Sequence, residues 1–443
     1  MAYAPGIAVP PTSFYRNQSR LEPGGFIPHN PNKINVITAK VLIDGTGAKP
    51  LLNPVVVTEG AKIKIVGKKG EVHIPHGPNV ETHDFPNGFL LPGLLDSHTH
   101  LMFGAPGRSY EDVIEGDTDE IMLLRAVKNS LIHMKSGVTT LRENGARNQI
   151  TFNLREGSRR GYITTPRLLL CGRPVTVTGG HFFWCNQEAD GIDGVRAAVR
   201  QLVKDGADHI KIMASGGGTK ITDLRRPSYT VEELRAIVEE AHNMGKPTTA
   251  HCLATQSISN AVEAGVDMIE HAGFIDPDGA YRFYPKIAEK IAKQGTFISP
   301  TVQTGYRGLE SLLQKQEAQG GKLSKEDQVR LDWVKGKSES QVEFVGKMWT
   351  DWNIPMISGT DAIGSFGDYC IGLELMSQAG MSNRDVILSS TGLAAKAMGV
   401  GDIVGTVEVG KYADLIVVDS DPLNDIKALR KMSMVMRVAE RIV

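Results

Sequence analysis

The stretch from Phe89 to His100 reads FLLPGLLDSHTH, an apolar run that is interrupted by Pro-Gly and closed by Asp-Ser-His-Thr-His. Side chains alternate between the two faces of an extended strand, so His98 and His100 are expected on the same face. Two neutral imidazoles at the carboxyl end of a strand can form one wall of a metal site. An isolated pair could equally be two ordinary loop histidines, so the interpretation depends on ligands from other strands.

Length, composition and charge bound the class of protein. The 443 residues have room for two domains, or for one large barrel with an appendage. Hydrophobic residues make up 41% and charged residues 22%, as in ordinary soluble proteins. The formal net charge of −1 gives no support for a nucleic-acid partner or an anionic membrane. The apolar runs are too short to span a bilayer, so no membrane partner is expected.

The cysteines and the N-terminal segment bear on the cellular compartment. Residues 1–33 contain several prolines but no apolar core of a signal peptide. We expect them to form an extended arm that packs on a neighbouring subunit of a homo-oligomer. The four cysteines are widely scattered, lack CxxC spacing and favour the reducing cytoplasm over a disulfide framework: Cys171, Cys185, Cys252 and Cys370.

Both ends of the chain carry short β-branched runs bounded by turn residues. Residues 34–45 (INVITAKVLIDG) and 54–66 (PVVVTEGAKIKIV) predict strands near the start, and residues 413–419 (ADLIVVD) predict one near the end. Because short exposed strands need partners, we expect residues 34–88 and 400–443 to build one small β-sandwich domain together. Two unrelated β tails are the less economical alternative.

The middle of the chain, residues 89–399, alternates short apolar strands with amphipathic helices, the pattern of βα units. One helix starts near Val231, where Thr230 can cap it together with Glu233. The pattern predicts an α/β fold, a (β/α)8 TIM barrel with its active site at the strand carboxyl ends. An open doubly wound sheet is the alternative, but no GxGxxG or Walker-type loop follows the first strand. The predicted strands are residues 91–101, 137–144, 166–175, 209–217, 247–252, 267–273, 296–302 and 355–361.

Ionisable side chains fall at the carboxyl ends of several of these strands. Each follows an apolar run that should be buried, so its presence there needs a chemical reason. Together at one barrel mouth they would form a candidate metal centre, which no single member would indicate. The candidate ligands are His98, His100, Lys211, His251, His271 and Asp361.

Lys211 differs from the other candidates because an ammonium has no lone pair to offer a cation. It could be a buried lysine that is paired with Asp361 or another acid. It could instead be carboxylated on its side-chain nitrogen, so that the carbamate bridges two metal ions. Anionic oxygen together with imidazole nitrogen suits Zn²⁺ or a similar divalent ion.

Further motifs accompany the ligand set: LIDGTG (42–47), GVTTLRE (137–143), TGGH (178–181), IKIMASGG (210–217), AHC (250–252), IEHAG (269–273), SGTDA (358–362) and GTVEVGKYADLIVVD (405–419). In this order across an eight-strand pattern, they resemble the amidohydrolase superfamily over nearly the whole chain. They are most similar to the imidazolonepropionase-related subgroup, which includes Xaa-Pro and Xaa-Arg dipeptidases and ochratoxin-type amidases. The resemblance implies two divalent ions, with Zn²⁺ expected, on the six candidate ligands, and N6-carboxylation of Lys211.

Three positions depart from the pattern of these relatives. Arg142-Glu143 replaces the usual Arg-Asp, which is a conservative change. Residues 218–223 replace an acidic, proline-containing loop, and His181 is followed by the aromatic triplet Phe182-Phe183-Trp184. The two loops would set substrate choice, so the substrates of the relatives carry over weakly.

The expected chemistry is hydrolysis. Two cations acidify a water and can polarise the scissile carbonyl, while Asp361 takes the proton and delivers it to the leaving nitrogen. His181 is a candidate donor to the carbonyl oxygen, or an ordinary loop histidine. Arg142 could bind a substrate carboxylate, but pairing with Glu143 or Asp96 is favoured. Part of the triplet Phe182, Phe183 and Trp184 is expected to contact substrate.

The sequence therefore predicts a binuclear metal-dependent amidohydrolase that cleaves the amide bond of a small molecule, dipeptide-like or N-acyl amino acid-like and possibly aromatic. Hydrolysis of aryl ureas, carbamates or anilides is the alternative activity. From another class, the chain could be a non-catalytic assembly protein on the same fold. Such proteins typically lose metal ligands, whereas all six are present here.

Overall fold

The computed structural model describes residues 31–105, 108–185 and 187–443. The predicted arm, residues 1–33, lies outside the described residues except for its last three positions. Strands from both ends of the chain join one eight-stranded sheet in the order β17-β16-β15-β5-β1-β3-β4, with β2 beside β1. Its strands are β1 (Ile34–Leu42), β2 (Leu51–Leu52), β3 (Pro54–Glu59), β4 (Lys62–Lys68), β5 (Val80–Pro92), β15 (Leu415–Val418), β16 (Met432–Arg437) and β17 (Glu440–Arg441).

The C-terminal strands contact the N-terminal ones through β15, which pairs antiparallel with β5 so that Leu415 faces Pro92. The four residues of β15 are all buried, because this apolar, β-branched run packs on both of its faces. Ile37 of β1 and Val417 of β15 belong to the same hydrophobic cluster. Both ends of the chain therefore contribute to one sheet and one core.

Strand β5 continues into the strand that carries the histidine pair. Gly93 separates the two strands, and any side chain there would collide with Thr139 on the neighbouring strand. The Pro-Gly break within residues 89–100 is thus a site where two backbone segments approach closely. The sheet built from both ends of the chain holds the first strand of the site directly.

The middle of the chain contains two parallel sheets, in the orders β6-β7-β8 and β10-β9-β11-β12-β13-β14. The first seven predicted strands are present, and each is shorter than predicted, because its polar end leaves the ladder. The strands are β6 (Leu94–Thr99), β7 (Val138–Glu143), β8 (Arg167–Leu170), β9 (Val175–Thr176), β10 (Gln187–Glu188), β11 (Ile210–Met213), β12 (Thr248–His251), β13 (Met268–Glu270) and β14 (Phe297–Ser299).

The eighth predicted strand, residues 355–361, is not a continuous strand and makes single bridges instead. Met356 bridges Ile298 of β14, and Ala362 bridges Thr99 of β6. The backbone N–H of Asp361 also donates to the His98 carbonyl at 2.8 Å. The segment therefore lies between the last and the first of the parallel strands, although its left-handed turn at Asp361 interrupts the ladder.

Helices connect the parallel strands, and helix α5 begins as predicted, with a capping box between Thr230 and Glu233. Within the described ranges, no helix combines the length and the apolar content that a membrane crossing needs. The helices are α1 (Tyr110–Gly116), α2 (Asp119–Lys135), α3 (Ile150–Arg159), α4 (Gly191–Asp205), α5 (Val231–Asn243), α6 (Thr255–Ala264), α7 (Pro285–Gln294), α8 (Gln303–Ala318), α9 (Lys325–Trp352), α10 (Cys370–Gln378), α11 (Asn383–Ser389) and α12 (Gly392–Ala397), followed by a 3₁₀ helix (Ile426–Arg430).

Candidate metal centre

The six predicted ligands line one cleft at the carboxyl ends of the parallel strands. This cleft encloses about 610 Å³ of space up to its open mouth. Strand β6 and the residue that follows it carry the histidine pair, β11 carries the lysine, and β12 ends in a histidine. The remaining two ligands stand in the turns after β13 and after the Met356 bridge. The lining ligands are His98, His100, Lys211, His251, His271 and Asp361.

The donor atoms of these residues lie close together. The Nε2 atoms of His98 and His100 are 3.3 Å apart, and Lys211 Nζ lies 3.4 Å from His98 Nε2. Asp361 Oδ1 lies 3.4 Å from His98 Nε2 and 3.3 Å from His100 Nε2. One ligand atom each of His98, His271 and Asp361 falls within 4.8 Å of the others. The structure thus brings together residues that are separated by up to 263 positions.

Each ligand histidine uses one ring nitrogen for a protein contact and leaves the other available to an ion. Such contacts set the orientation and tautomer of a ligand imidazole. The pairs are His98 Nδ1 with Glu270 Oε2 at 2.8 Å, His100 Nδ1 with the Gly145 carbonyl at 3.1 Å, His271 Nδ1 with Thr301 Oγ1 at 2.7 Å, and His251 Nε2 with the Gly216 carbonyl at 3.1 Å.

Glu270 is a functional residue that the sequence analysis did not assign. It is fully buried and accepts hydrogen bonds from Arg142 Nη2 at 2.7 Å and Thr249 Oγ1 at 2.6 Å, besides its contact with His98. Burial alone would raise the pKa of this carboxyl, but His98 and Arg142 hold it well below its ordinary range. Its position directly before His271 in the IEHAG motif was the available signal.

The structure corrects the interpretation of Arg142. Its partner is Glu270, not Glu143 or Asp96, and its Nε donates to the Ser97 carbonyl at 2.8 Å. Only 4% of the residue is exposed, and it is not among the described residues that line the cleft. Arg142 therefore lies behind His98 and supports the carboxylate of Glu270.

The chemistry of the donor set fits divalent ions of the zinc type, which take imidazole nitrogen and carboxylate oxygen. Burial lowers the pKa of Lys211 and so favours its neutral amine. Throughout the described ranges, no carboxylate oxygen lies within 4.0 Å of its Nζ. Burial would raise the pKa of Asp361, but the neighbouring imidazoles hold it well below its ordinary range, so it remains an anionic donor.

Three side chains of the cleft stand on backbone in the left-handed region. The φ angles are 70° at His271, 49° at Asp361 and 55° at Phe182. For residues other than glycine this conformation costs about 1–2 kcal/mol each, and such strain concentrates at functional sites. The turns direct these side chains into the cleft. The residue types at these positions do not predict the left-handed conformation.

His181 lines the cleft beside the ligands. Its Nδ1 lies 2.9 Å from Thr219 Oγ1, and its ring centroid lies 4.7 Å from that of His251. Burial lowers the pKa of this imidazole to about 3, so it is neutral at neutral pH. A side chain at Gly217 would collide with the imidazole, so the glycine makes room for it. A neutral imidazole held by Thr219 can offer Nε2 to a substrate.

The aromatic triplet contributes only in part. Phe182 lines the cleft and stacks on His181 with ring centroids 4.2 Å apart. Phe183 and Trp184 are not among the described residues that line it, and Trp184 packs behind, against Phe182 and Tyr110. Of the three candidate substrate contacts, Phe182 is therefore the one that lines the cleft, because consecutive residues point in different directions.

Three helices add lining residues that the sequence analysis did not find. Tyr110 comes from α1, Thr304 comes from α8, and Lys337 and Gln341 come from α9. Their distance from the ligands along the chain left no local signal, because only the packing of the helices over the strands brings them to the cleft.

The comparisons with known proteins agree with this geometry. The model of the "Amidohydrolase family" matches residues 89–439. Ochratoxinase of Aspergillus niger is 26% identical over 441 residues, covering 92% of this chain and 85% of the relative. Imidazolonepropionase of Rhizobium rhizogenes is 23% identical, covering 86% and 90% of the two chains.

Solved structures give the same result. A Xaa-Pro dipeptidase with bound methionine in the active site has a TM-score of 0.80 at 26% identity and covers 92% of this chain and 99% of that one. Phenylurea hydrolase B shares the fold, with a TM-score of 0.72 at 20% identity and 92% and 96% coverage. With a family match across most of its length, the chain belongs to the amidohydrolase family and is a hydrolase that acts on carbon–nitrogen bonds.

Proposed function

We propose that the chain is a binuclear metal-dependent amidohydrolase that cleaves the amide bond of a dipeptide-like or N-acyl amino acid-like small molecule. The convergence of four imidazoles, one carboxylate and one buried lysine in a single cleft is the observation that carries the proposal. The resemblance to ochratoxinase and to a Xaa-Pro dipeptidase supports the substrate class.

The proposed architecture is a TIM barrel of residues 89–399 with a composite β-sandwich domain of residues 34–88 and 400–443. Backbone contacts of residues 355–362 with β14 and β6 support closure of the parallel strands into a ring. The pairing of β15 with β5 supports a domain built from both ends of the chain. Cytoplasmic location and a homo-oligomeric state stay predictions from the sequence.

The proposed metal ligands are the six residues of the cleft, with Lys211 carboxylated. Its neutral amine would attack CO₂, form an N–C bond and lose a proton, which yields the anionic carbamate. Two divalent ions, Zn²⁺ by the donor set, would lower the pKa of a water and polarise the scissile carbonyl when bound. The absence of an acid within 4.0 Å of Lys211 Nζ in the described residues supports this assignment over a buried ion pair.

The side chains of the cleft would divide the proton transfers between them. Asp361 would accept the proton of the attacking water and deliver it to the leaving nitrogen. His181, neutral and held by Thr219, would donate Nε2–H to the carbonyl oxygen as negative charge develops there. Phe182 would cover one side of the substrate and limit the access of bulk water.

Hydrolysis of aryl ureas, carbamates or anilides is the second candidate. The rings of Phe182 and Tyr110, 5.2 Å apart beside the cleft, favour an aromatic substrate group. The fold shared with phenylurea hydrolase B is compatible with it.

A hydrolysis screen of the metal-loaded protein tests the proposal. The panel contains dipeptides, N-acyl amino acids, anilides, carbamates and aryl ureas, and amine release is measured. We expect turnover of dipeptides or N-acyl amino acids that is abolished by chelation and restored by metal. Turnover of ureas or anilides alone would select the second candidate, and metal-independent turnover would contradict the proposal.

A further inference from the structure

Helix α9 contributes two polar side chains to the cleft, Lys337 and Gln341. They stand four positions apart, which places them on the same face of the helix, one turn from each other. Neither belongs to the ligand set nor was indicated by the sequence motifs. Their positions in the lining place this face of α9 in the same cleft as the metal centre.

Lys337 has no anionic partner in the part of the chain that the structure describes. No carboxylate oxygen lies within 4.0 Å of its Nζ, and the centroid of the Trp333 ring lies 5.9 Å away. Burial lowers the pKa of Lys337, whereas the charge of Asp361 raises it, and a carboxylate bound beside the lysine would favour the ammonium further. By contrast, Lys335 on the same helix is 62% exposed and lies 4.0 Å from Glu339.

Gln341 lies one helical turn from Lys337. The residue is 6% exposed, and its Oε1 has no hydrogen-bond partner among the described residues. The Oε1 atom is packed against helix α8, where a side chain at Gly305 would come within 2.5 Å of it. Lys337 is therefore the group of this wall that can meet a charged substrate.

We propose that Lys337 forms the subsite for the carboxylate of the substrate. Its ammonium pairs with the carboxylate that stands next to the scissile amide. This inference rests on the proposed amide hydrolysis and narrows its substrates to compounds that carry the group –NH–CHR–COO⁻.

The charge of Lys337 favours substrates with a carboxylate over neutral aryl ureas and over phosphate esters. A neutral aryl urea offers the Lys337 ammonium no counter-charge, and covering an unpaired ammonium with substrate is unfavourable. A phosphate ester carries nearly two negative charges and would be only half compensated by one ammonium. A carboxylate carries a single charge and accepts a charge-assisted hydrogen bond from lysine.

The test uses matched amides that differ only in the carboxylate. N-acetyl-L-phenylalanine, N-acetyl-L-leucine and N-acetyl-L-methionine are each compared with the decarboxylated N-acetyl amine, and amine release by the metal-loaded enzyme gives kcat and KM. We expect the wild type to prefer the carboxylates. Lys337→Met should lower kcat/KM for them about 10- to 100-fold, mainly through KM, because one charge-assisted contact is lost. The decarboxylated amides should be unaffected.

Three further variants complete the comparison. Lys335→Met removes a solvent-exposed lysine of the same helix and should change nothing. Lys337→Arg keeps the charge and should retain part of the preference for the carboxylates. Gln341→Leu removes a neighbouring polar group of the same helix face and should leave the preference for the carboxylates in place. Metal content and melting temperature are measured for each variant.

The outcomes separate this inference from the function on which it rests. A wild type that hydrolyses both members equally well, with Lys337→Met unchanged, would overturn the subsite and leave amide hydrolysis standing. An equal loss on both members in Lys337→Met would also overturn it, since a merely structural lysine would behave so. A metal-loaded wild type that hydrolyses no amide would contradict the proposed function itself.

Discussion

The residues around the candidate centre show that a ligand depends on the residue behind it. His98 depends on Glu270, which Arg142 and Thr249 in turn hold in place. These contacts fix which imidazole nitrogen faces the cleft, so they decide whether the ligand set can bind ions at all. His181 has the same dependence on Thr219, whose hydroxyl contacts both Nδ1 and the Phe182 backbone N–H.

At this scale we predict that Thr219→Val lowers kcat about 10-fold or more while the metal content stays the same. Valine preserves the shape of threonine but removes the hydroxyl that orients the imidazole. Thr219→Ser keeps the hydroxyl and should recover most of the activity. Steady-state kinetics with metal analysis measure both effects. A valine variant with wild-type kcat would show that His181 does not act in the reaction.

Among the strands and helices, the sequence predicted those features that depend on residues close together in the chain. The strand positions and the cap of α5 follow from periodicity and from side-chain-to-backbone bonds within one turn, and both were predicted. The Arg142–Glu270 pair and the approach of Lys337 could not be, because they join residues 128 positions apart or depend on helix packing. Residues 355–361 were predicted as a strand, since the left-handed turn at Asp361 has no sequence signature.

The cap of α5 gives a prediction about stability. Thr230→Ala should lower the free energy of unfolding by about 1 kcal/mol, because the Glu233 backbone N–H loses its acceptor at the helix start. Thr230→Ser should be close to the wild type. Urea denaturation measures the difference, and an alanine variant as stable as the serine variant would show that the cap contributes nothing.

In the whole molecule, the sheet built from both ends of the chain supports the strand that carries the histidine pair. The sheet built from both ends of the chain continues through Gly93 into β6, so the position of the histidine pair depends on C-terminal strands more than 300 residues away. The lining of the site includes five buried imidazoles. Because neutral imidazoles are buried there, the stability of the folded chain should depend on pH.

We predict that the free energy of unfolding falls as the pH drops below about 6.5, the pKa of an unfolded histidine. His181 has a folded pKa of about 3, so between these values the unfolded chain binds the additional proton and is favoured. His181→Asn should flatten this dependence by up to about 1.4 kcal/mol per pH unit, whereas His76→Asn, at an exposed position, should not. Urea denaturation from pH 7 to 5 measures the slopes, and identical slopes for His181→Asn and the wild type would contradict the burial of a neutral imidazole.

Counting the metal ions per chain is the most direct test of the proposed binuclear centre, in which carboxylated Lys211 bridges the two ions. Metal analysis of the purified wild type and of Lys211→Ala, with the exposed Lys335→Ala as control, gives the stoichiometry. We expect two divalent ions per chain in the wild type and the control, and one or none in Lys211→Ala, because the bridging ligand is gone. A fully active wild type with a single ion, or a Lys211→Ala variant that keeps two, would contradict it.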